Sequence, residues 1–193
     1  RAGIALLTEA RKEQGLLLGL SIRANTTLAR LGPLARFGFW LRREAERAVA
    51  EKWRDRLRLR CGTVEQRVVE LSGGNQQKVV LAKWLSRDCD ILIFDEPTRG
   101  IDVGAKFEIY GLLGQLADEG KAVLVVSSDL KELLGICDRI AVLAERRVLV
   151  TGTMDDMLKQ DHPWVREYFN GPRARAATGA WGGNAPHAAK AGA

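Results

Sequence analysis

The chain has 193 residues, 46% of them hydrophobic and 28% charged, and a formal net charge of +6. Its length suffices for one domain of ordinary size with a real core, and aliphatic residues interspersed with charges of both signs exclude intrinsic disorder over most of it. No apolar run approaches the roughly 18 residues of a membrane-spanning helix, so the longest runs, such as Ala122–Val126, read as strands.

The chain begins at Arg1 and enters apolar Ile4–Leu7 at once, with no charged leader or cleavage site, which reads as truncation at the N-terminus. A short strand is predicted near Ile4–Thr8, then a polar turn, then a helical region broken near Gly32-Pro33, where proline disfavours a continuous helix. Leu41, Ala45, Ala48, Val49, Trp53 and Leu57 recur at helical spacing, with charged residues on the opposite face, and predict an amphipathic helix. The positive surplus is local. Residues 36–60 hold nine Arg or Lys against four acids, and the tail from Gly171 holds three bases and no acid. A nucleic-acid or lipid patch is one reading of that helix, but a solvated face with pairs such as Glu44 and Arg47 is the preferred one, so no nucleic-acid partner is expected.

Leu71–Gln77 places a glycine pair at the start of a helix running to about Leu85, with Ser72 as its expected cap. A turn at Arg87–Asp90 leads into Ile91–Phe94, an apolar run of buried-strand length. A helix over Ala105–Leu116, a strand over Ala122–Val126, a helix over Leu130–Gly135, strands Arg139–Leu143 and Val148–Thr151 and a short helix near Met154–Lys159 follow. Strands that alternate with helices and lack a period of two predict a parallel sheet covered on both faces. The tail 171–193 has fourteen Gly or Ala among 23 residues and is expected to be disordered. The three cysteines, Cys61, Cys89 and Cys137, fit neither a metal knuckle nor a disulfide framework and read as reduced thiols in the cytoplasm.

Two stretches carry chemistry. Asp95-Glu96 follows a buried strand, at the sheet edge where parallel α/β proteins bind ligands. A carboxylate there can hold Mg²⁺ and its neighbour can orient a water. Ser72-Gly73-Gly74 lies ahead of it, and glycine-exposed amides at a helix start favour a terminal phosphate.

Leu-Ser-Gly-Gly-Asn-Gln-Gln-Lys at 71–78 and Ile-Leu-Ile-Phe-Asp-Glu-Pro-Thr-Arg-Gly-Ile-Asp-Val-Gly-Ala-Lys at 91–106 resemble the signature motif, Walker B strand and D-loop of an ABC-transporter ATPase. The Asn-Gln-Gln-Lys variant and the opening at 6–25 are similar to the second nucleotide-binding half of monosaccharide importers of the ribose and galactose type. The resemblance covers about residues 3–150. It implies a P-loop NTPase-like α/β fold over 1–170 with a helical subdomain at about 20–85. It implies ATP and Mg²⁺ as cofactors, with Asp95 as the Mg²⁺ aspartate, Glu96 as the catalytic base position and Asp102 as the D-loop carboxylate. Ser72, Gly73 and Gly74 would contact the γ-phosphate of ATP held by an opposing domain, Gln76 is a further implied cofactor-binding residue, and Glu9, also counted among the cofactor-binding residues, falls at the Q-loop position. Ala10 stands where the family usually carries Asp.

Two departures shape the expected mechanism. The chain contains no Gly-x-x-x-x-Gly-Lys-Ser/Thr phosphate loop, so the fragment alone is expected to be inactive. Ser128 occupies the switch position where many ABC ATPases carry His, and serine brings no positive charge to a phosphate. Ser72 and Gly74 are therefore expected to govern turnover ahead of Glu96, by completing a partner's site. The implied partners are a second nucleotide-binding domain, transmembrane permease subunits and, indirectly, a periplasmic substrate-binding protein. The implied location is the cytoplasmic face of the inner membrane, peripherally attached.

Asp161–Arg173 resembles the tail of ATPases in phospholipid-trafficking importers, so a lipid-type transport ATPase is the alternative, with a non-transport ABC protein or an inert fragment behind it. His162, next to proline and without a second ligand nearby, reads as a cap or surface residue. Trp164, Tyr168 and Phe169 read as a packing stripe on one helix face.

Overall fold

A computed structural model of the chain describes residues 3–38 and 40–171. The chain divides into two compact units, Arg1–Val126 and Ser127–Ala193, where the sequence reading takes 1–170 as one partial domain. The tail expected to be disordered falls, apart from Gly171, outside the described residues.

In chain order the first unit contains β1 (Ile4–Leu7), one π-helical turn (Arg11–Gly15), α1 (Ile22–Thr27), β2 (Ala35–Arg36), β3 (Trp40–Leu41), α2 (Arg43–Arg56), α3 (Gly73–Leu85), β4 (Ile91–Asp95), α4 (Val103–Asp118) and β5 (Ala122–Val126). Strands β1, β4 and β5 form a parallel sheet in that order, with Ile4 opposite Ile91 and Ile91 opposite Ala122. Ala5, Leu7, Leu92 and Phe94 point to one face and are buried, with α3 against β1 and α4 against β5. Val79 to Ala82 of α3 and Ile109, Leu113 and Leu116 of α4 are buried as well and complete this core.

The other face differs from the expectation. Ile4, Leu6, Leu124 and Val126 are 57%, 48%, 53% and 50% exposed. Burial along β1 and β5 therefore alternates although the residue types do not. An apolar run shows that a strand can be covered on both faces, but covering needs a second layer, and among the described residues only one face has it.

Helices α1, α2 and α3 each pack on the other two, within the stretch expected to form a helical subdomain. Ser21 caps α1, its hydroxyl accepting from the Ala24 N–H at 3.1 Å. Asn25 is fully buried. Its Nδ2 donates to the carbonyls of Leu17 at 3.0 Å and Ser21 at 3.1 Å, and its Oδ1 accepts from the Leu17 N–H at 2.8 Å, which fixes the loop before α1. The buried amide thus has partners for both its oxygen and its nitrogen, as a buried polar group requires.

The amphipathic helix is present as α2, but its buried face is Glu46, Ala50 and Trp53, continued by Leu57, rather than the stripe through Leu41, Ala45 and Ala48. The exception to apolar periodicity is Glu46, whose carboxylate receives Arg23 at 2.7 Å and the Thr27 hydroxyl at 2.9 Å from α1. Arg23 also pairs with Glu65 at 2.8 Å, and that hydrogen bond holds the Glu65 carboxyl below its ordinary pKa. Near Gly32-Pro33 the chain makes a short 3₁₀ turn and then a hairpin of two short strands, β2 and β3, with Gly38 at φ 81° between them.

The second unit contains α5 (Leu130–Ile136), β6 (Ile140–Ala144), β7 (Arg147–Gly152), α6 (Met154–Leu158) and α7 (Pro163–Asn170). Strands β6 and β7 form an antiparallel hairpin whose turn residues Glu145 and Arg146 both have positive φ, as a type I′ turn requires. Leu130, Ile140, Val142, Met157, Val165 and Phe169 make its core. Thr153 and Asp156 form a reciprocal capping box at α6. The stripe expected on α7 is buried through Val165 and Phe169, while Trp164 stacks on Tyr168 with ring centroids 5.1 Å apart at its edge. His162 is the N-cap residue of α7, but its side chain makes no capping hydrogen bond. Among the described residues, no helix is long and apolar enough to cross a membrane.

Candidate functional site

Strand β4 delivers Asp95 and Glu96 to the sheet edge, both half-buried. The Glu96 N–H donates to the Val126 carbonyl at 2.8 Å, extending the ladder to β5 by one bond. At Glu96 the backbone then turns left-handed, with φ 48°. A side chain in that region costs about 1–2 kcal/mol, and such strain collects where a site needs a fixed geometry. Arg99 N–H to Glu96 carbonyl (3.1 Å) and Ile101 N–H to Thr98 carbonyl (3.3 Å) close two successive turns, with Gly100 at φ 66°. The turns end at Asp102, the N-cap of α4, whose Oδ1 accepts from the Ala105 N–H at 2.9 Å. Asp102, expected to be a D-loop carboxylate, thus starts a helix.

Ser72 to Gly74 lie at the N-terminus of α3. Ser72 is exposed and holds the N-cap position with φ −62° and ψ 158°. Contrary to expectation its hydroxyl does not cap the helix; it accepts from the Asn75 Nδ2 at 3.0 Å, and Asn75 Oδ1 accepts from the Arg60 N–H at 2.9 Å. The first N–H groups of a helix have no intrahelical acceptor, so this end presents donors and the positive end of the helix dipole.

The glycine pair has a steric cause visible in the packing. A Cβ on Gly74 would stand 2.8 Å from the Ala105 Cβ and 3.9 Å from Asp102 Oδ2, so the first turns of α3 and α4 approach as closely as a missing side chain allows. A Cβ on Gly73 would stand 2.9 Å from Arg11 Nη2 and 3.6 Å from the Gly100 carbonyl oxygen. Two helix N-termini therefore converge beside the 96–102 turns, an arrangement that favours an anion. The donors at the start of α3 and the exposed Ser72 hydroxyl fit a phosphate group. The Asp95 carboxylate fits Mg²⁺, a cation that takes one or two protein carboxylates and completes its shell with phosphate oxygens and water.

Gln76 is placed otherwise than expected. It is buried, and its Nε2 donates to the carbonyls of Val68 (3.3 Å) and Leu71 (3.2 Å), so it supports the loop before Ser72. Farther along α3, Lys78 is buried and reaches the Arg58 carbonyl at 3.0 Å and Glu108 Oε2 at 2.6 Å, which holds the Glu108 carboxyl below its ordinary pKa and ties α3 to α4. Lys83 donates to the Gly15 carbonyl, and burial lowers its pKa.

Glu9 is exposed and forms an ion pair with Arg99. Arg11, two residues on, donates through Nη1 to the Arg99 carbonyl at 3.1 Å. Sequence reasoning names Glu9 but misses Arg11 and Arg99; the available signal was two arginines within motif-bearing stretches that also contain an acid. The structure thus joins Glu9, the 96–102 turns and Gly73-Gly74 in one connected group in the first unit.

Ser128 belongs to the second unit and is exposed in the segment leading to α5. Its neighbour Ser127 donates to the Glu132 carboxylate and accepts from the Asp129 N–H at 3.0 Å, while Asp129 Oδ1 accepts from the Lys131 N–H at 3.0 Å at the helix start. Among the described residues no group of three or more His, Cys, Asp or Glu stands ready to hold a metal by itself.

A family model described as ABC transporter matches residues 2–99. The chain belongs to the ABC transporter family. It is 54% identical over 149 residues to an ATP-binding protein named for ribose, galactose and methyl galactoside import in Rhizobium meliloti (strain 1021), covering 77% of this chain and 30% of that protein. It is 53% identical over 146 residues to the L-arabinose transport ATP-binding protein AraG of Geobacillus stearothermophilus, covering 76% of this chain and 28% of that protein. The chain thus spans under a third of the length of these relatives. Among solved structures, a dimeric ATP-binding cassette in a post-hydrolysis state with ADP and Pi matches with a TM-score of 0.64 at 24% identity, over 79% of this chain and 63% of that one. That match bears on the fold: the three parallel strands and flanking helices are those of an ABC ATPase domain.

Proposed function

We propose that this chain is part of the ATP-hydrolysing, nucleotide-binding subunit of an ABC importer for sugars, and that its Ser72–Gly74 end of α3 completes the ATP site of a second nucleotide-binding domain. The observation that carries the reading is the junction at Gly74, where the first turns of α3 and α4 lie side by side and the exposed Ser72 stands at the N-terminus of α3, the end of a helix that favours an anion. The importer relatives named above supply the transport context, and their names supply the sugar class. Transmembrane permease subunits, with an external sugar-binding protein acting through them, are the partners this reading requires. The inner face of the plasma membrane is the matching location.

ATP and Mg²⁺ supply a labile phosphoryl group and a counter-charge for it. This chain's own residues act around them. Asp95 would hold the cation, Glu96 would orient a water through its carboxylate, Asp102 fixes the start of α4, and the Ser72 hydroxyl with the α3 amides would bind a terminal phosphate offered by the second domain. Ser128 at the switch position adds no positive charge, so the chain's weight lies on the signature side. The experiment is turnover of the assembled transporter with Ser72→Ala or Glu96→Gln. Ser72 is preferable to Gly74 as the probe, because any side chain at Gly74 would also strike Ala105.

A further inference from the structure

Arg11 is the least expected member of the site. It opens the π-helical turn Arg11–Gly15, directly after the Glu9 loop. Its guanidinium does three things at once. Nη1 holds the Arg99 carbonyl at 3.1 Å; Nη2 lies 2.9 Å from the place where a Cβ on Gly73 would be; and Nε is buried with no hydrogen-bond partner among the described residues. Glu9 binds the side chain of the same Arg99 whose carbonyl Arg11 holds. A cation beside the N-terminus of α3 is disfavoured by the helix dipole, and a buried donor left unmade is a cost in addition. Packing convenience does not account for a group placed against both.

We propose that Arg11 is a positioning residue that couples the Glu9–Gly15 segment to the signature. Its guanidinium stands where a side chain at Gly73 would have to displace it, and it holds the Arg99 carbonyl of the turn after Glu96, so the start of α3 and that turn meet on one group. Displacement of the Glu9 segment then moves Gly73 and the Arg99 carbonyl together. Arginine is needed because a planar fork can span both contacts, which the single ammonium of lysine cannot do. The proposal rests on the signature reading above in treating Ser72–Gly74 as the output.

The test is a double-mutant cycle between Arg11→Ala and Gly73→Ala in the assembled transporter, with hydrogen exchange at residues 72–76 measured on nucleotide-free protein. Gly73→Ala alone is expected to lower turnover about tenfold and to speed exchange at 72–76, because the methyl group displaces the guanidinium. In the Arg11→Ala background the same alanine is expected to cost less than about threefold, since contacting residues do not add. Arg11→Ala and Arg11→Lys are both expected to lower kcat while leaving the KM for ATP unchanged, because the nucleotide is gripped elsewhere. Equal losses from Gly73→Ala in both backgrounds, or exchange at 72–76 unaffected by either Arg11 substitution, would overturn the proposal. Failure of Ser72→Ala to affect turnover, with the exchange pattern as expected, would instead overturn the signature reading and leave the coupling intact.

Discussion

Replacing Glu46 by Ala removes the carboxylate around which α1 and α2 are packed. Glu46 and Arg23 have side chains only 7% and 12% exposed, and they meet at 2.7 Å. The same substitution takes from Thr27, itself 1% exposed, the carboxylate partner it reaches at 2.9 Å. Removing one member of a buried ion pair typically costs 3–5 kcal/mol, because the remaining charge stays desolvated. Arg23 keeps Glu65 at 2.8 Å, and the Thr27 hydroxyl keeps the Arg23 carbonyl at 3.1 Å. These retained contacts put the expected loss at the low end, about 3 kcal/mol. Glu46→Gln preserves the shape and can still accept from Thr27, so about 1–2 kcal/mol is expected, the range for weakening a charge-assisted hydrogen bond. Urea denaturation followed by far-UV circular dichroism at pH 7 gives both numbers. Glu46→Ala costing less than about 1 kcal/mol would refute the reasoning, since that is the range of an exposed surface pair.

Two further outcomes follow from local geometry and charge. Because Glu96 sits at φ 48°, Glu96→Gly is expected to be more stable than Glu96→Ala by about 0.5–1 kcal/mol, the relief of a left-handed Cβ less glycine's added chain entropy; equal thermal midpoints would contradict it. Because the Arg23 hydrogen bond lowers the Glu65 pKa below 4.5, the contribution of this pair is fully present above pH 4.5 and is lost as pH falls through the lower folded value. Acid unfolding should therefore become less steep below pH 4.5 in Glu65→Gln, and an unchanged profile would argue against the pair.

The sequence was most legible where structure is local. The strand over Ala122–Val126 and the helix from Gly73 to Leu85 are found as expected, and the apolar run before Asp95 forms β4 with that aspartate as its last residue. The Asp95-Glu96 pair and the Ser72–Gly74 turn could be read because their chemistry depends on neighbours in the chain. What escaped depends on distant partners. Glu46 looks like one more charge on a solvated face until Arg23 and Thr27 are placed beside it, and hydrophobic periodicity has no symbol for a buried acid with partners on another helix. Arg11 and Arg99 meet across 88 residues of chain. Ser72 had the composition of a helix cap, but Asn75 engages its hydroxyl, an outcome decided by a side-chain competition that propensity does not contain. The sheet's exposed second face escaped because an apolar residue type reports what could be buried and not what covers it.

The central claim is that the signature end of α3 acts on a nucleotide held by another domain, and steady-state ATP hydrolysis by the assembled transporter tests it most directly. Loss of one donor to a developing charge typically costs on the order of 100-fold in turnover. Ser72→Ala is expected to approach that loss, while Glu96→Gln is expected to cost less than about threefold. Near-equal losses for the two substitutions, or a larger loss for Glu96→Gln, would contradict the account.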